Sequence, residues 1–150
     1  MSAALRFAVV GDPVAHSKSP AMHRAAYAAL GLPHVYDAVR VTAEELPGFV
    51  ERLRAGEYAG LNVTVPHKVR ALELADDADP GARAVRAANT LVAREGAVVA
   101  HNTDVPALAA EIARLGAGSG GDALVLGSGG AARAAAAAAR AAGFARVVVR

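Results

Sequence analysis

The fold of this chain is indicated most clearly by the stretch Ala123-Leu124-Val125-Leu126-Gly127-Ser128-Gly129-Gly130-Ala131-Ala132. Its apolar first half predicts a strand, and the residues from Gly127 to Ala132 fit the G-x-G-x-x-[GA] pattern that joins a strand to a helix. Glycines in that turn let backbone amides approach a pyrophosphate, and Ala132 allows close helix–strand packing. The stretch therefore predicts a dinucleotide-binding turn, with an ordinary glycine-rich turn as the alternative.

The residues that follow complete one strand–helix–strand unit. Residues 131–142 are almost pure alanine, which has the highest intrinsic helix propensity, and Gly143 ends the predicted helix. Residues 146–149 predict a second strand. We interpret this segment as the first βαβ unit of a Rossmann-type domain.

Upstream of a glycine-rich linker at residues 116–121, the pattern predicts a separate domain. Apolar runs predict strands over residues 6–10, 34–41 and 59–65 and a hairpin of residues 90–93 and 97–100. Helices are predicted over residues 19–30, 42–55, 67–74, 82–87 and 105–115, with an acidic loop over 76–81. Thr42 and Glu45 have the spacing of a capping box. The fold class is therefore α/β: a three-layer α/β domain over residues 1–104, followed by the start of a dinucleotide domain over 105–150.

Composition limits the kinds of function. The chain has 150 residues, of which 54% are hydrophobic, and a formal net charge of +2. Its basic residues are scattered, which disfavours nucleic-acid binding. It contains no cysteine, which excludes disulfides and thiolate metal sites. The start has no apolar signal-peptide region, and the longest run without charge, residues 25–36, is too short to cross a membrane. We expect a cytoplasmic protein.

Three polar stretches follow predicted strands, at the positions where α/β proteins bind ligands. They are residues 15–20 (Ala-His-Ser-Lys-Ser-Pro), 62–68 (Asn-Val-Thr-Val-Pro-His-Lys) and 102–104 (Asn-Thr-Asp). Together they supply hydroxyls, amides, an ammonium and a carboxylate. This set of groups predicts a site for a small, hydroxylated, anionic substrate.

Ser17 and Ser19 are candidates for binding a carboxylate. Ser19 followed by Pro20 predicts a helix start, with Ser19 as the N-cap, where free amides and the helix dipole favour an anion. The alternative is that Ser19 only caps the helix and Ser17 is merely exposed.

Lys68 is the candidate for proton transfer. It lies in the first turn of the helix after Pro66, where the helix dipole disfavours a cation. A nearby carboxylate from Asp104 would complete an acid–base pair. The alternatives are a solvated surface lysine at 68 and an N-cap at 104.

Asn62, Thr64 and Asn89 are candidates for binding hydroxyl groups. Asn62 and Thr64 share one face of the predicted strand because side chains alternate with period two. Asn89 precedes the strand that begins at Thr90 and has a turn residue as its alternative. The five histidines show no H-x-x-x-H or H-E-x-x-H spacing, so no metal site is predicted.

Taken together, the motifs resemble those of the shikimate dehydrogenase family. The stretches that carry the resemblance are residues 11–20, 62–68, 88–91, 102–104 and 127–131, in the order that the family has them. The resemblance implies reduction of 3-dehydroshikimate to shikimate with NADPH, in aromatic amino-acid biosynthesis. It makes the first domain a substrate domain and the second an NADP-binding Rossmann domain.

Roles for single residues follow from the same resemblance. It implies that Ser17 and Ser19 hold the substrate carboxylate and that Asn62, Thr64, Asn89 and Asp104 contact ring hydroxyls. It also implies that Lys68 and Asp104 are the catalytic pair and that Lys68, like Asp104, binds the substrate. Gly127, Ser128, Gly129, Gly130 and Ala131 would bind the cofactor. The partner is a small molecule, with no nucleic acid or membrane, and a homodimer is left open.

The sequence departs from the family at several points. Val105-Pro106 follows the Asn-Thr-Asp stretch where the family usually has glycine, and residues 86–88 read Arg-Ala-Ala where it usually has Gly-Ala-Val. The family is nearly twice as long, so we expect an N-terminal portion, and NADP over NAD rests on the family alone. The alternatives are a catalytically silent module that binds shikimate-like acids and a dehydrogenase that uses quinate or NAD.

Overall fold

The computed structural model describes residues 3–118 and 120–150. Ser119, within the predicted linker, lies outside the described residues. Along the chain the elements are β1 (Arg6–Gly11), α1 (Ser19–Ala29), β2 (Val35–Arg40), α2 (Leu46–Arg54), β3 (Gly60–Val63), α3 (Lys68–Glu73), β4 (Asp77–Ala78), α4 (Pro80–Val85), β5 (Thr90–Arg94), β6 (Ala97–His101), α5 (Asp104–Arg114), β7 (Asp122–Val125), α6 (Gly130–Ala141) and β8 (Arg146–Val149).

The larger of two sheets is mixed and has six strands in the order β2-β1-β3-β5-β6-β4. Strand β1 runs parallel to β2 and β3, so that Val9 lies opposite Ala38 and Asn62. Strand β5 runs antiparallel to β3, with Thr90 opposite Asn62, and forms a hairpin with β6. As a result, β1, β2, β3 and β6 end, and β5 begins, at the same edge of the sheet.

Side chains of β1 alternate between two apolar clusters on opposite faces of the sheet. Ala8 and Val10 belong to the larger cluster, which includes the four buried side chains of α2 (Leu46, Phe49, Val50 and Leu53). Val9 belongs to a smaller cluster with Tyr36, against which Tyr27 of α1 packs. Helices therefore cover both faces, and the predicted three-layer α/β class is confirmed.

A second, two-stranded sheet pairs β7 with β8 in parallel, with α6 between them in sequence. Helix α6 buries Ala132, Ala134, Ala138 and Ala139, whose small side chains allow close packing. It packs mainly against α5 and also touches α3 and α4. The predicted βαβ unit is confirmed, and its helix α6 contacts α3 and α4 beside the large sheet.

Two local predictions are wrong. Lys18, not Ser19, is the N-cap of α1, and Ser19 is the first helical residue. The predicted acidic loop over residues 76–81 contains the short strand β4, which pairs with β6, and the start of α4. The N–H groups of Asp76 and Asp79 donate to carbonyl oxygens of β6. The Asp79 carboxylate accepts from Ala82 N–H and thereby caps α4.

The capping box of Thr42 and Glu45 is formed. Thr42 N–H donates to Glu45 Oε2 at 2.8 Å, and Glu45 N–H donates to Thr42 Oγ1 at 3.4 Å. The α-helix itself begins at Leu46, one residue after the box, instead of at residue 42. Among the helices of residues 3–118 and 120–150, none is long and apolar enough to cross a membrane.

Candidate active site

A polar cleft of about 420 Å³ lies at the edge where the strands of the large sheet end. Because parallel strands place their carboxyl ends together, the segments after β1, β3 and β6 converge there, and antiparallel β5 contributes its first residues. Six of the predicted substrate residues line the cleft: Ser19, Asn62, Thr64, Lys68, Asn89 and Asp104. Sheet topology thus brings together residues from four distant parts of the chain.

Lys68 and Asp104 form an ion pair in this cleft. Lys68 Nζ donates to Asp104 Oδ2 at 2.6 Å across a sequence separation of 36 residues. The side chains are only 15% and 24% exposed, so solvent screens the pair less than an ordinary surface pair. The ammonium is held at a fixed position at the wall of the cleft, which is the arrangement that a positioned proton donor requires.

The Asp104 carboxylate is free to pair with Lys68 because the side chain of Asn102, two residues earlier, accepts the first N–H groups of α5. Asn102 is buried, and its Oδ1 accepts from the N–H groups of Asp104 and Val105 at 3.1 and 3.2 Å. Its Nδ2 donates to Ala87 O at 2.9 Å, which ties the start of α5 to the segment before β5. Asp104 is the first residue of α5, with Thr103 as N-cap, so the alternative that Asp104 itself is the N-cap is not observed.

Asn89 holds the second oxygen of this carboxylate. Its Nδ2 donates to Asp104 Oδ1 and to Thr103 Oγ1, both at 2.8 Å. Its Oδ1 accepts from Thr103 N–H at 2.9 Å and from the Thr90 hydroxyl at 3.2 Å. Every hydrogen-bonding position of this amide is therefore occupied, and Asn89 fixes Asp104 on the side opposite Lys68.

Asn62 is oriented by Tyr36, a residue that the sequence analysis did not single out. The Tyr36 hydroxyl donates to Asn62 Oδ1 at 2.6 Å, which leaves Nδ2 to donate to Thr90 Oγ1 at 3.1 Å. Hydrogen bonds therefore run without a break from Tyr36 through Asn62, Thr90 and Asn89 to Asp104 and Lys68. The sequence signal that could have identified Tyr36 is its place on a predicted strand with its side chain towards the core. A buried phenol hydroxyl there requires a hydrogen-bond partner.

Burial raises the pKa of Tyr36 to about 12, with Tyr27 as a smaller cause in the same direction. His23 of α1 stacks on the Tyr36 ring at 4.1 Å between centroids, and burial lowers the pKa of His23. Both changes favour the neutral forms, so this end of the hydrogen-bonded row carries no charge near neutral pH.

The two serines have different positions. Ser19 lines the cleft, whereas Ser17 lies beside it and accepts a hydrogen bond from Ser19 N–H at 3.3 Å. The Ser17 hydroxyl thus does the capping that was expected of Ser19. At the neighbouring end of β1, Gly11 allows close approach to Thr64, since a Cβ at position 11 would lie 2.4 Å from Thr64 Cγ2.

A second cleft of about 310 Å³ lies next to the first and shares Thr64 and Lys68 with it. Its other side is the glycine turn, including Gly127, Gly129, Gly130 and Ala131. Ser128 does not line this cleft and instead borders a shallow groove beside Arg133. In residues 3–118 and 120–150, no group of three or more His, Asp or Glu side chains is placed to hold a metal ion.

Comparison with known proteins gives a consistent result. The family model described as shikimate dehydrogenase substrate binding domain matches residues 9–91. The shikimate dehydrogenase (NADP(+)) of Symbiobacterium thermophilum is 43% identical over 142 residues, covering 94% of this chain and 48% of that protein. This chain therefore spans about half the length of that curated relative.

Solved structures show the same similarity. Thermus thermophilus shikimate 5-dehydrogenase, crystallised with NADP(H) and shikimate, has 44% identity and a TM-score of 0.87, covering 97% of this chain and 56% of that one. The 5-ketofructose reductase of a Gluconobacter strain has 33% identity and a TM-score of 0.83, covering 98% of this chain and 53% of that one. Because the family model covers more than half of the chain, the chain belongs to the shikimate dehydrogenase family through its substrate-binding domain.

Proposed function

We propose that this chain forms the substrate domain and the start of the cofactor domain of a shikimate dehydrogenase, which reduces 3-dehydroshikimate to shikimate with NADPH. The observation that carries the proposal is the 2.6 Å pair of Lys68 Nζ and Asp104 Oδ2 inside a cleft of hydroxyl and amide groups. The relatives' names support the substrate and the cofactor.

Lys68 and Asp104 would carry the proton transfer. Reduction of a ketone by hydride leaves an alkoxide, which becomes an alcohol only when it receives a proton. Lys68 supplies this proton and becomes a neutral amine, while Asp104 holds the lysine in place and accepts a hydrogen bond from a substrate hydroxyl. Asn89 keeps the Asp104 carboxylate oriented throughout, because it donates to the oxygen that Lys68 does not contact.

The remaining polar residues would bind the substrate. Asn62 and Thr64 at the end of β3 contact ring hydroxyls, and Ser19 reaches the carboxylate from the start of α1. The Ser17 hydroxyl stabilises this position of Ser19 because it accepts a hydrogen bond from Ser19 N–H. Asn89 would reach a hydroxyl only by giving up one of its present hydrogen bonds, so its larger contribution is to hold Asp104.

The glycine turn fits a dinucleotide. Gly127 has a φ of +124°, which favours glycine, and a Cβ built at Gly129 would meet nothing within 4 Å. Open space therefore lies beside the first amides of α6, where a pyrophosphate is favoured. Gly127, Gly129, Gly130 and Ala131, which line the second cleft, and Ser128 beside them would hold NADPH, which supplies a hydride when bound.

We also propose the division into a substrate domain over residues 1–104 and a cofactor domain from residue 105. Two observations support it. The strands form two separate sheets, and α5, which begins at Asp104, packs mainly against α6. The catalytic carboxylate would then lie at the junction of the two domains.

The test is a steady-state assay of the purified protein with 3-dehydroshikimate, followed by the absorbance of NADPH, with shikimate affinity measured by calorimetry. We expect turnover that Asp104→Asn reduces by at least about a hundredfold, the lower range for loss of acid–base function. Saturable shikimate binding without turnover, in a protein that carries the whole cofactor domain, would contradict the proposal and favour a silent binding module. Faster turnover of quinate, or of NADH, would assign another dehydrogenase.

A further inference from the structure

The glycine turn touches the stem of Lys68 at Gly130. A Cβ atom built at residue 130 would lie 2.6 Å from Lys68 Cβ and 3.2 Å from Lys68 Cδ and from Ala87 Cβ. The first distance is far shorter than carbon–carbon van der Waals contact, so a side chain at this position must displace the lysine. The atom it meets is the first carbon of the stem, which cannot move without moving the backbone of α3.

Backbone conformation does not explain this glycine. Gly130 is the first residue of α6 and is absent from the residues with positive φ, unlike Gly127 with a φ of +124°. Gly129, immediately before it, has a φ of −78° and open space where a Cβ would lie. Of these three glycines, Gly130 is the one at which a side chain would collide with a residue distant in sequence, namely Lys68.

We propose that Gly130 is a positioning residue for Lys68, so that the start of α6 fixes the lysine stem and aligns the cofactor turn with the Lys68–Asp104 pair. The role of this pair in catalysis rests on the function proposed above, but the contact itself does not. Two neighbouring clefts share Lys68, one lined by the substrate residues and one by the glycine turn. Gly130 lines the second cleft and lies against the stem of the shared lysine, so its missing side chain sets how closely the glycine turn approaches the Lys68–Asp104 pair.

An alanine at residue 130 would push Lys68 away from Asp104. The built Cβ lies about 1 Å closer to the lysine stem than carbon–carbon contact allows. A shift of that size lengthens the 2.6 Å distance between the ammonium and the carboxylate beyond the hydrogen-bonding range. The displaced ammonium would also lose its hydrogen bond to bound shikimate, and loss of one hydrogen bond to a charged group weakens binding by about tenfold or more. Alanine at residue 129 meets no atom, so it leaves the lysine where it is.

Chemical labelling of lysine tests the contact without turnover. The sequence contains two lysines, Lys68 and Lys18, and Lys18 is exposed and provides an internal reference. Brief acetylation with acetic anhydride across a range of pH, read by mass spectrometry, gives the ratio of labelling at Lys68 to that at Lys18. We expect Gly130→Ala to raise this ratio several-fold and to raise the Kd for shikimate, whereas Gly129→Ala leaves the labelling ratio at the parent value.

A double-mutant cycle in urea keeps the inference testable if Gly130→Ala folds poorly. Lys68→Gly removes the Cβ that lies 2.6 Å from the built alanine Cβ and leaves the weaker overlap with Ala87 Cβ at 3.2 Å. Gly130→Ala should therefore destabilise the parent more than it destabilises the Lys68→Gly variant. A labelling ratio unchanged by Gly130→Ala, or equal destabilisation in both backgrounds, would overturn the inference. If the parent fails to bind shikimate, the proposed function fails, while the labelling ratio and the cycle still decide the role of Gly130.

Discussion

Replacing Lys68 separates its ion pair with Asp104 from its proposed role as proton donor. Methionine at residue 68 removes the positive charge, whereas arginine keeps it. Lys68→Met leaves the Asp104 carboxylate with the hydrogen bond from Asn89 Nδ2 as its remaining side-chain contact. Breaking a fully buried pair costs about 3–5 kcal/mol and an exposed pair is worth less than about 1 kcal/mol. Since these side chains are 15% and 24% exposed, we expect Lys68→Met to lose about 1–3 kcal/mol of unfolding free energy.

The effect on catalysis should be larger than the effect on binding. Removal of a positioned proton donor lowers kcat by about 10²–10⁴, which equals roughly 3–5 kcal/mol of activation free energy. Lys68→Arg retains a cation beside Asp104 and should keep stability within about 1 kcal/mol of the parent. It should nevertheless lose kcat to a similar extent, because a guanidinium does not release its proton at neutral pH.

The assays are urea unfolding, steady-state kinetics with NADPH and 3-dehydroshikimate, and calorimetry with shikimate. Parent-like kcat in Lys68→Arg would refute the role of Lys68 as proton donor. Equal factors in kcat and in shikimate affinity for Lys68→Met would show that the lysine serves only as a ligand.

Three further predictions concern stability and titration. Arg86→Gly should stabilise the protein by about 1 kcal/mol in urea, because residue 86 has a φ of +54° and its carbonyl, which accepts from Arg133 Nη1, is retained; lower stability would contradict this. Burial works to raise the pKa of Asp79, but hydrogen bonds from Ala82 and Asn102 amides and from His101 outweigh it and lower this pKa below the usual 3.8. The ionised carboxylate therefore stabilises the fold above about pH 4, and this stabilisation is lost as the pH falls through the lowered pKa. Asp79→Asn should make the unfolding free energy depend less on pH in this acidic range. An unchanged pH dependence would contradict the lowered pKa of Asp79. Because the pKa of Tyr36 is raised to about 12, its contribution to the unfolding free energy should fall as the pH rises from about 10 towards that value. Tyr36→Phe should remove the phenol that ionises near pH 12 from an ultraviolet titration. Ionisation of Tyr36 near its ordinary pKa would contradict the argument from burial.

Local patterns were sufficient for much of the architecture. The strand, glycine turn and alanine helix around residues 123–142 were predictable because they depend on neighbouring residues: apolar runs, turn stereochemistry and helix propensity. The capping box at Thr42 formed for the same reason. The prediction of Ser19 as N-cap of α1 was wrong, since Lys18 holds that position and the Ser17 hydroxyl accepts from Ser19 N–H. Both serines are good capping residues, and only the path of the chain decides which hydroxyl reaches a free amide.

By itself, the sequence determined which chemical groups this protein can offer and which segments become strands and helices, since those depend on residue type and short-range pattern. Tertiary structure decided which groups meet. The register of β3 against β5 places Asn62 opposite Thr90, and the shared strand edge brings Lys68 to Asp104 across 36 residues. The contact of Gly130 with the stem of Lys68 depends on how α6 packs against α3. No local pattern encodes that contact, because packing between distant elements is fixed by the shapes of the surfaces they bury.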